Sequence, residues 1–251
     1  MEDIQELSRT FRRILHLKNG PVAVRIVKIN EEIPVLLKKP AEPIHSFCYG
    51  VMEAFKGKAF FLSRSDVQCT MGLTTLGFKK ENSKSGKHKQ GVQIGVFGNE
   101  EASQNYFSKK IGLPAGQIRG LALSPLDKAV MGLDIILFRV NPEQAMWLLT
   151  ANQYLTGERN VFSIGTGFQG VCGDVIAYPY LYKKMNMTVN GVGDRISSSL
   201  ARNELFIGIP ASAVKEIALN LIEICRKPVF KAFQSPRSTQ KNSTLRLPYR
   251  H

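Results

Sequence analysis

The stretch 134-DIILFRVNPEQAMWLLTANQYLTGERNVFSIGTGFQGVC-172 holds, in order, a β-branched run, a helix opened by Asn141 and Pro142 and stopped at Gly157, a second apolar run at 160–165, and a cysteine among small residues. Asparagine followed by proline is a cap and first-turn pair, and a glycine past the last apolar position ends a helix. The flanking runs have the length and branching of strands. The same order occurs upstream. VAVRIV at 22–27 precedes PIHSFCYGVMEAFK at 43–56, which stops at Gly57, and AFFLS at 59–63 leads to Cys69. The two stop glycines are 100 residues apart and the two cysteines 103. This repetition predicts an α/β or α+β fold: a single compact body over 1–234 with mixed sheets flanked by helices. Its two related strand-helix-strand halves would span 21–78 and 132–182.

Outward from these units, Ile4, Leu7, Phe11, Ile14 and Leu15 fall at helical spacing over 2–17, and a helix is expected at 99–111. IRGLALSPL at 118–126 and ELFIGIP at 204–210 read as strands. Pro210 then opens a long helix over 211–227 that Pro228 ends. After Gln234 the periodicity disappears, so 235–251 reads as a basic disordered tail.

The chain has 251 residues, 43% hydrophobic and 22% charged, enough apolar material for a sizeable core. No apolar run approaches the roughly 18 residues a membrane span needs, and the N-terminus is polar and partly acidic. A cytoplasmic protein with no membrane association is expected. The net charge of +14 is unevenly placed: seven basic residues and no acid follow Leu221 to Cys225, from Arg226 onward. Five lysines and one glutamate lie between Lys79 and Lys89. These two segments either keep the protein soluble or engage nucleic acid or another polyanion.

Four cysteines occur, with no Cys-x-x-Cys pair, which argues against zinc fingers, ribbons and thioredoxin-type motifs. A disulfide framework is disfavoured by the expected compartment and the sparse count. Local sequence sorts them. Cys225 shares an apolar stripe with Ile217, Leu221 and Ile222 and reads as a small buried hydrophobe. Cys69 lies near Gly72, and Cys172 between Gly170 and Gly173, where backbone can come close to a bulky group and offer N–H donors. Cys48, near a helix start, reads as either packing or part of a site. Three thiolates from separate loops could hold zinc with one open position, or an iron–sulfur cluster with one iron free.

The order and spacing of several short pieces resemble the family called domain of unknown function 169, also labelled ArCR. They are Pro21 to Val24, Cys48 in a helix, Cys69 with Gly72 and Leu76-Gly77, Pro125-Leu126, Pro142 to Gln144, Cys172, Gly193 to Arg195 and Gly208 to Pro210. The family's three recurring cysteines match Cys48, Cys69 and Cys172 and leave out Cys225. The resemblance implies no settled activity.

The expectation drawn from these residues is a 4Fe-4S protein with Cys48, Cys69 and Cys172 as ligands, whose open iron takes a small anionic ligand or substrate. Arg195 would orient that ligand through its guanidinium fork. Zinc, or no metal, is the alternative; soft thiolates without an evident histidine favour the cluster. A different class is a non-enzymatic nucleic-acid-binding protein using the Lys79–Lys89 loop and the tail. A third is a thiol enzyme with Cys69 or Cys172 as nucleophile. Gly191 to Arg195 lacks the ending of a phosphate loop and reads as a tight turn. His45 reads as a fourth ligand or a surface group. Tyr178, Tyr180 and Tyr182 read as pocket lining or ordinary packing.

Overall fold

Two β-branched runs, β1 (Val22–Lys28) and β4 (Ile135–Val140), lie side by side and antiparallel at the centre of the molecule. Both are buried on both faces, as their near-continuous apolar sequence requires. The computed structural model describes residues 2–34, 37–80, 87–129, 132–228 and 230–231. The expected tail at 235–251 and much of the lysine-rich loop lie outside the described residues.

β3 (Ile118–Pro125) pairs with β1, and β2 (Phe60–Leu62) forms the edge beyond it. On the other side β6 (Leu205–Pro210) pairs with β4, and β5 (Asn186–Thr188) is the edge. The six strands run in the order β2-β3-β1-β4-β6-β5. All five pairings within the sheet are antiparallel, with a separate parallel bridge between Ile44 and Val67, and the helix-flanked α/β body expected from the sequence stands.

The sheet has an internal two-fold relation that extends to its register. Val22↔Pro125 and Val24↔Leu123 in the first half correspond to Ile135↔Pro210 and Leu137↔Gly208 in the second. Phe60↔Leu123 likewise corresponds to Asn186↔Gly208. The central pairing maps onto itself about Ala23↔Ile136. The related units therefore run from β1 through β3 and from β4 through β6, beyond the bounds 21–78 and 132–182 expected from the sequence.

One face of the sheet carries α2 (Phe47–Phe55), α3 (Thr70–Thr75) and a wide-turned π-helix (Gly170–Ala177). α8 (Val192–Ser198) packs on α2, as α3 packs on the π-helix, so these contacts obey the same two-fold relation. The other face carries α1 (Glu2–Ile14), α6 (Pro142–Gln153) and α9 (Ala211–Arg226). α6 starts as the sequence predicts: Asn141 and Gln144 exchange side-chain-to-backbone hydrogen bonds in a capping box. α4 (Lys87–Gln93) and α5 (Glu100–Ser108) pack together between α3 and β3 in the chain. α4 replaces the end of the loop expected at 79–91. A short α7 (Tyr178–Tyr182) continues from the π-helix.

The strand expected at 160–165 is absent. Ser163 is instead held by the buried side chain of Asn186, whose Oδ1 accepts from Ser163 N at 3.1 Å and whose Nδ2 donates to Ser163 O at 2.7 Å. One amide side chain thus supplies the pair of bonds a neighbouring strand would give. β6 occupies the edge of β4 that this segment would have needed.

Candidate functional site

Three of the four cysteines line one cavity of about 150 Å³ on the π-helix face of the sheet. Cys48 is the second residue of α2, whose N-cap Ser46 accepts a hydrogen bond from Tyr49 N at 3.1 Å. Cys69 is itself the N-cap of α3, its Sγ accepting from Gly72 N at 3.3 Å. Cys172 lies in the first turn of the π-helix. In the two-fold relation α2 corresponds to the π-helix and α3 to α8, so Cys48 and Cys172 are counterparts. This replaces the pairing of Cys69 with Cys172 suggested by their spacing. Cys225 lies on the opposite face, half-buried against the α1, α6 and α9 core, as its apolar stripe predicts.

Glycines let these pieces approach. A Cβ at Gly72 would lie 2.6 Å from the Phe47 ring beside Cys48. A Cβ at Gly170 would overlap Asp194 Oδ2. Gln169, just before the π-helix, holds a left-handed backbone (φ 65°) and ties its side chain to Thr75 Oγ1 across the gap to α3. Left-handed backbone at a non-glycine residue next to an irregular helix is a local feature that tertiary contacts must hold in place.

Asp194 completes the cavity. Its Oδ1 accepts the Cys48 thiol at 3.0 Å, and its Oδ2 accepts Gly170 N at 3.0 Å and Gly191 N at 3.3 Å. No lysine, arginine or histidine is among the described residues that line the space. Burial therefore raises the Cys48 and Cys172 thiols well above the ordinary cysteine range, and the Asp194 carboxylate raises both further. Asp174, two residues beyond Cys172, is buried too, and its carboxyl is raised to about 7, chiefly by burial. It faces a separate cavity of about 450 Å³ that shares the Gln169 wall and contains Tyr106 and Lys110.

Arg195 is not in the site. Its guanidinium is used on backbone carbonyls: Nε and Nη2 donate to Val189 O at 3.1 and 2.8 Å, Nη1 to Ala201 O at 2.9 Å, and Nη2 to Glu204 O at 3.0 Å. The role of orienting an anion is corrected to one of tying the β5–α8–β6 connections together. His45 also points elsewhere, its Nε2 3.1 Å from Ser197 O and its ring beside Tyr49. Tyr178 and Tyr182 pack on each other at 4.6 Å and do not line the cysteine cavity. The side chain that sequence reasoning does not single out is Asp194, one position before Arg195. Its signal was the glycine at 193 and the glycine at 191, which mark a backbone turn that can present a carboxylate.

At Cys172 the nucleophile reading lacks a neighbour that favours thiolate, since burial and the Asp194 carboxylate both hold that thiol protonated. A metal would reverse that balance by supplying positive charge at the centre. Among the described residues no three His, Cys, Asp or Glu side chains close on one point as a single metal ion would require. Three thiols spaced around a cavity fit a polynuclear cluster, where each sulfur binds a different iron.

Fold and cavity thus define a helix-flanked antiparallel-sheet protein with three thiols and a carboxylate at the junction of two related halves. The chain belongs to the domain of unknown function 169 family, described as uncharacterised ArCR, whose model matches residues 10–220. A relative in Methanocaldococcus jannaschii, the uncharacterized protein MJ0308, is 26% identical over 218 residues, covering 86% of this chain and 93% of its own. No solved structure matches the chain. No helix among the described residues is long and apolar enough to cross a membrane.

Proposed function

We propose that the protein is a metalloprotein in which Cys48, Cys69 and Cys172 hold a 4Fe-4S cluster, with one iron left to a ligand other than cysteine and accessible to a small anionic molecule. The observation that carries this reading is the joint lining of one cavity by three thiols from separate elements, with no basic side chain to stabilise them as thiolates. Each thiol would have to give its proton to solvent to bind metal, and since burial raises Cys48 and Cys172, uptake is expected to weaken as pH falls. When bound, such a cluster supplies a Lewis-acidic iron or an electron. The chain's own residues would hold the sulfurs through the starts of α2, α3 and the π-helix, with Phe47, Phe168 and Met71 lining the space with apolar surface.

The test is iron and acid-labile sulfide content of protein prepared without oxygen. Wild type and Cys225→Ser are expected to contain both. Cys48→Ser, Cys69→Ser and Cys172→Ser are each expected to lose most of them. Wild type free of iron and sulfide after reconstitution sinks the reading, and equal retention by all four variants does the same.

A further inference from the structure

The two-fold relation gives the cavity two pairs of counterpart positions rather than three cysteines and a gap. Cys48 and Cys172 open equivalent helices, and Cys69 opens α3, the counterpart of α8. Cys69 lies seven residues beyond Leu62 of β2, and Asp194 six beyond Thr188, the register equivalent of Leu62 in β5. A carboxylate in the second half and a thiol in the first thus lie near the starts of counterpart helices, Cys69 at the cap of α3 and Asp194 three residues past the cap of α8.

The carboxylate is held as a ligand would be. Oδ2 is occupied by two backbone N–H groups from different elements, which fixes the plane of the group, and Oδ1 faces the cavity with the Cys48 thiol as its partner. Gly170 must lack a side chain for that arrangement to exist. Hydrogen bonds to one oxygen of a carboxylate that orient the other are the usual outer support of a metal ligand. Of the other polar side chains of the lining, Gln169 is engaged with Thr75, Ser46 caps α2, and Ser197 offers a neutral hydroxyl rather than a charged oxygen.

On the reading proposed above, we infer that Asp194 is the fourth ligand of the cluster: Oδ1 binds the iron that no cysteine reaches, and a small anion enters by displacing it. Loss of the Cys48 proton to solvent would end the 3.0 Å hydrogen bond to Oδ1, and the two atoms would have to move apart to serve different irons. An entering anion would take the place of Oδ1, and Asp194 would stay anchored through the Oδ2 bonds to Gly170 N and Gly191 N. A carboxylate is a harder ligand than thiolate and the natural one to exchange in such a set.

The experiment reconstitutes wild type, Asp194→Ala, Asp194→Asn and Asp194→Cys with ⁵⁷Fe and sulfide. Iron and sulfide content, Mössbauer spectra and cyanide titration are then recorded. Wild type is expected to show one iron distinct from the other three. In Asp194→Ala that iron's parameters shift and cyanide binds about tenfold tighter or more. In Asp194→Cys the four irons become alike. Should Asp194→Ala fail to fold, Asp194→Asn, which keeps acceptors for Gly170 and Gly191, decides the matter by the same shift. Wild-type spectra and cyanide affinity retained in Asp194→Ala, or in Asp194→Asn if that variant must stand in, overturn the inference while leaving the three-cysteine cluster intact. A wild type that takes up no iron or sulfide overturns the cluster itself, and the inference with it.

Discussion

The two halves of the sheet share their register yet fill one equivalent position in opposite ways. Leu123 in β3 and Gly208 in β6 occupy matching places, pairing with Val24 and Leu137 on the inner strands and with Phe60 and Asn186 on the edges. In the first half the leucine side chain fills the space under α2. In the second the side chain is missing and the π-helix backbone comes down instead, the Val175 carbonyl lying where a Cβ would sit. The framework constrains volume, and either a side chain or a main chain can supply it. The closer approach is what brings Cys172 and the carboxylate of the second half to the cavity at the same level as Cys48 and Cys69.

The sharpest way to break this comparison is to remove or add that volume. Leu123→Ala empties a fully buried position and is expected to cost about 2–5 kcal/mol in urea denaturation. Gly208→Ala forces the π-helix off the sheet at about 1–3 kcal/mol or more. It is also expected to lower iron uptake, which Leu123→Ala leaves near wild type in the folded fraction. Equal effects on uptake would show that the π-helix position does not matter to the site.

The connections around β5 give a smaller test. Arg195→Ala leaves three partly exposed carbonyls without their donor, for about 1–2 kcal/mol of lost stability and no change in iron uptake or cyanide affinity. A loss of anion binding with stability unchanged would restore the guanidinium to the site.

The smallest effect concerns the carboxylates on the counterpart helices. Asp174 on the π-helix is raised, whereas Glu53 on α2 is lowered by hydrogen bonds from Lys56 and Lys58, with burial opposing them. A carboxylate lowered in the folded state contributes stability above its unfolded pKa, about 4.3, and that contribution is lost as pH falls through its folded value. Both lysines are largely exposed, so Glu53→Gln is expected to cost about 1 kcal/mol or less at pH 7. The difference from wild type should vanish in strong acid and shrink with salt. A cost that persists at low pH would show that the glutamate acts by packing.

Much of the framework was legible because it rests on local signals. Asn141, Pro142 and Gln144 start a helix through bonds within four residues, and the runs at 22–28 and 135–140 have the length and β-branched content of buried strands. The sorting of Cys225 from Cys69 and Cys172 followed from its neighbours, a leucine and isoleucine stripe against glycines, whereas Cys48 joined those two only through the family resemblance. The segment 160–165 misled because its apolar alternation was real while the sheet edge it needed was already taken by β6.

What the sequence by itself determined is therefore the kind of elements, most of their order, and which thiols could share a site. The tertiary structure alone decided that Cys48 pairs with Cys172, that Asp194 rather than Arg195 reaches the cavity, and that a π-helix lies against Gly208. The reason is one of range: helix caps and strand patterns are set by neighbours along the chain. The partner of a carboxylate or guanidinium is set by which carbonyls and N–H groups two distant halves bring within 3 Å, and no short window of residues contains both.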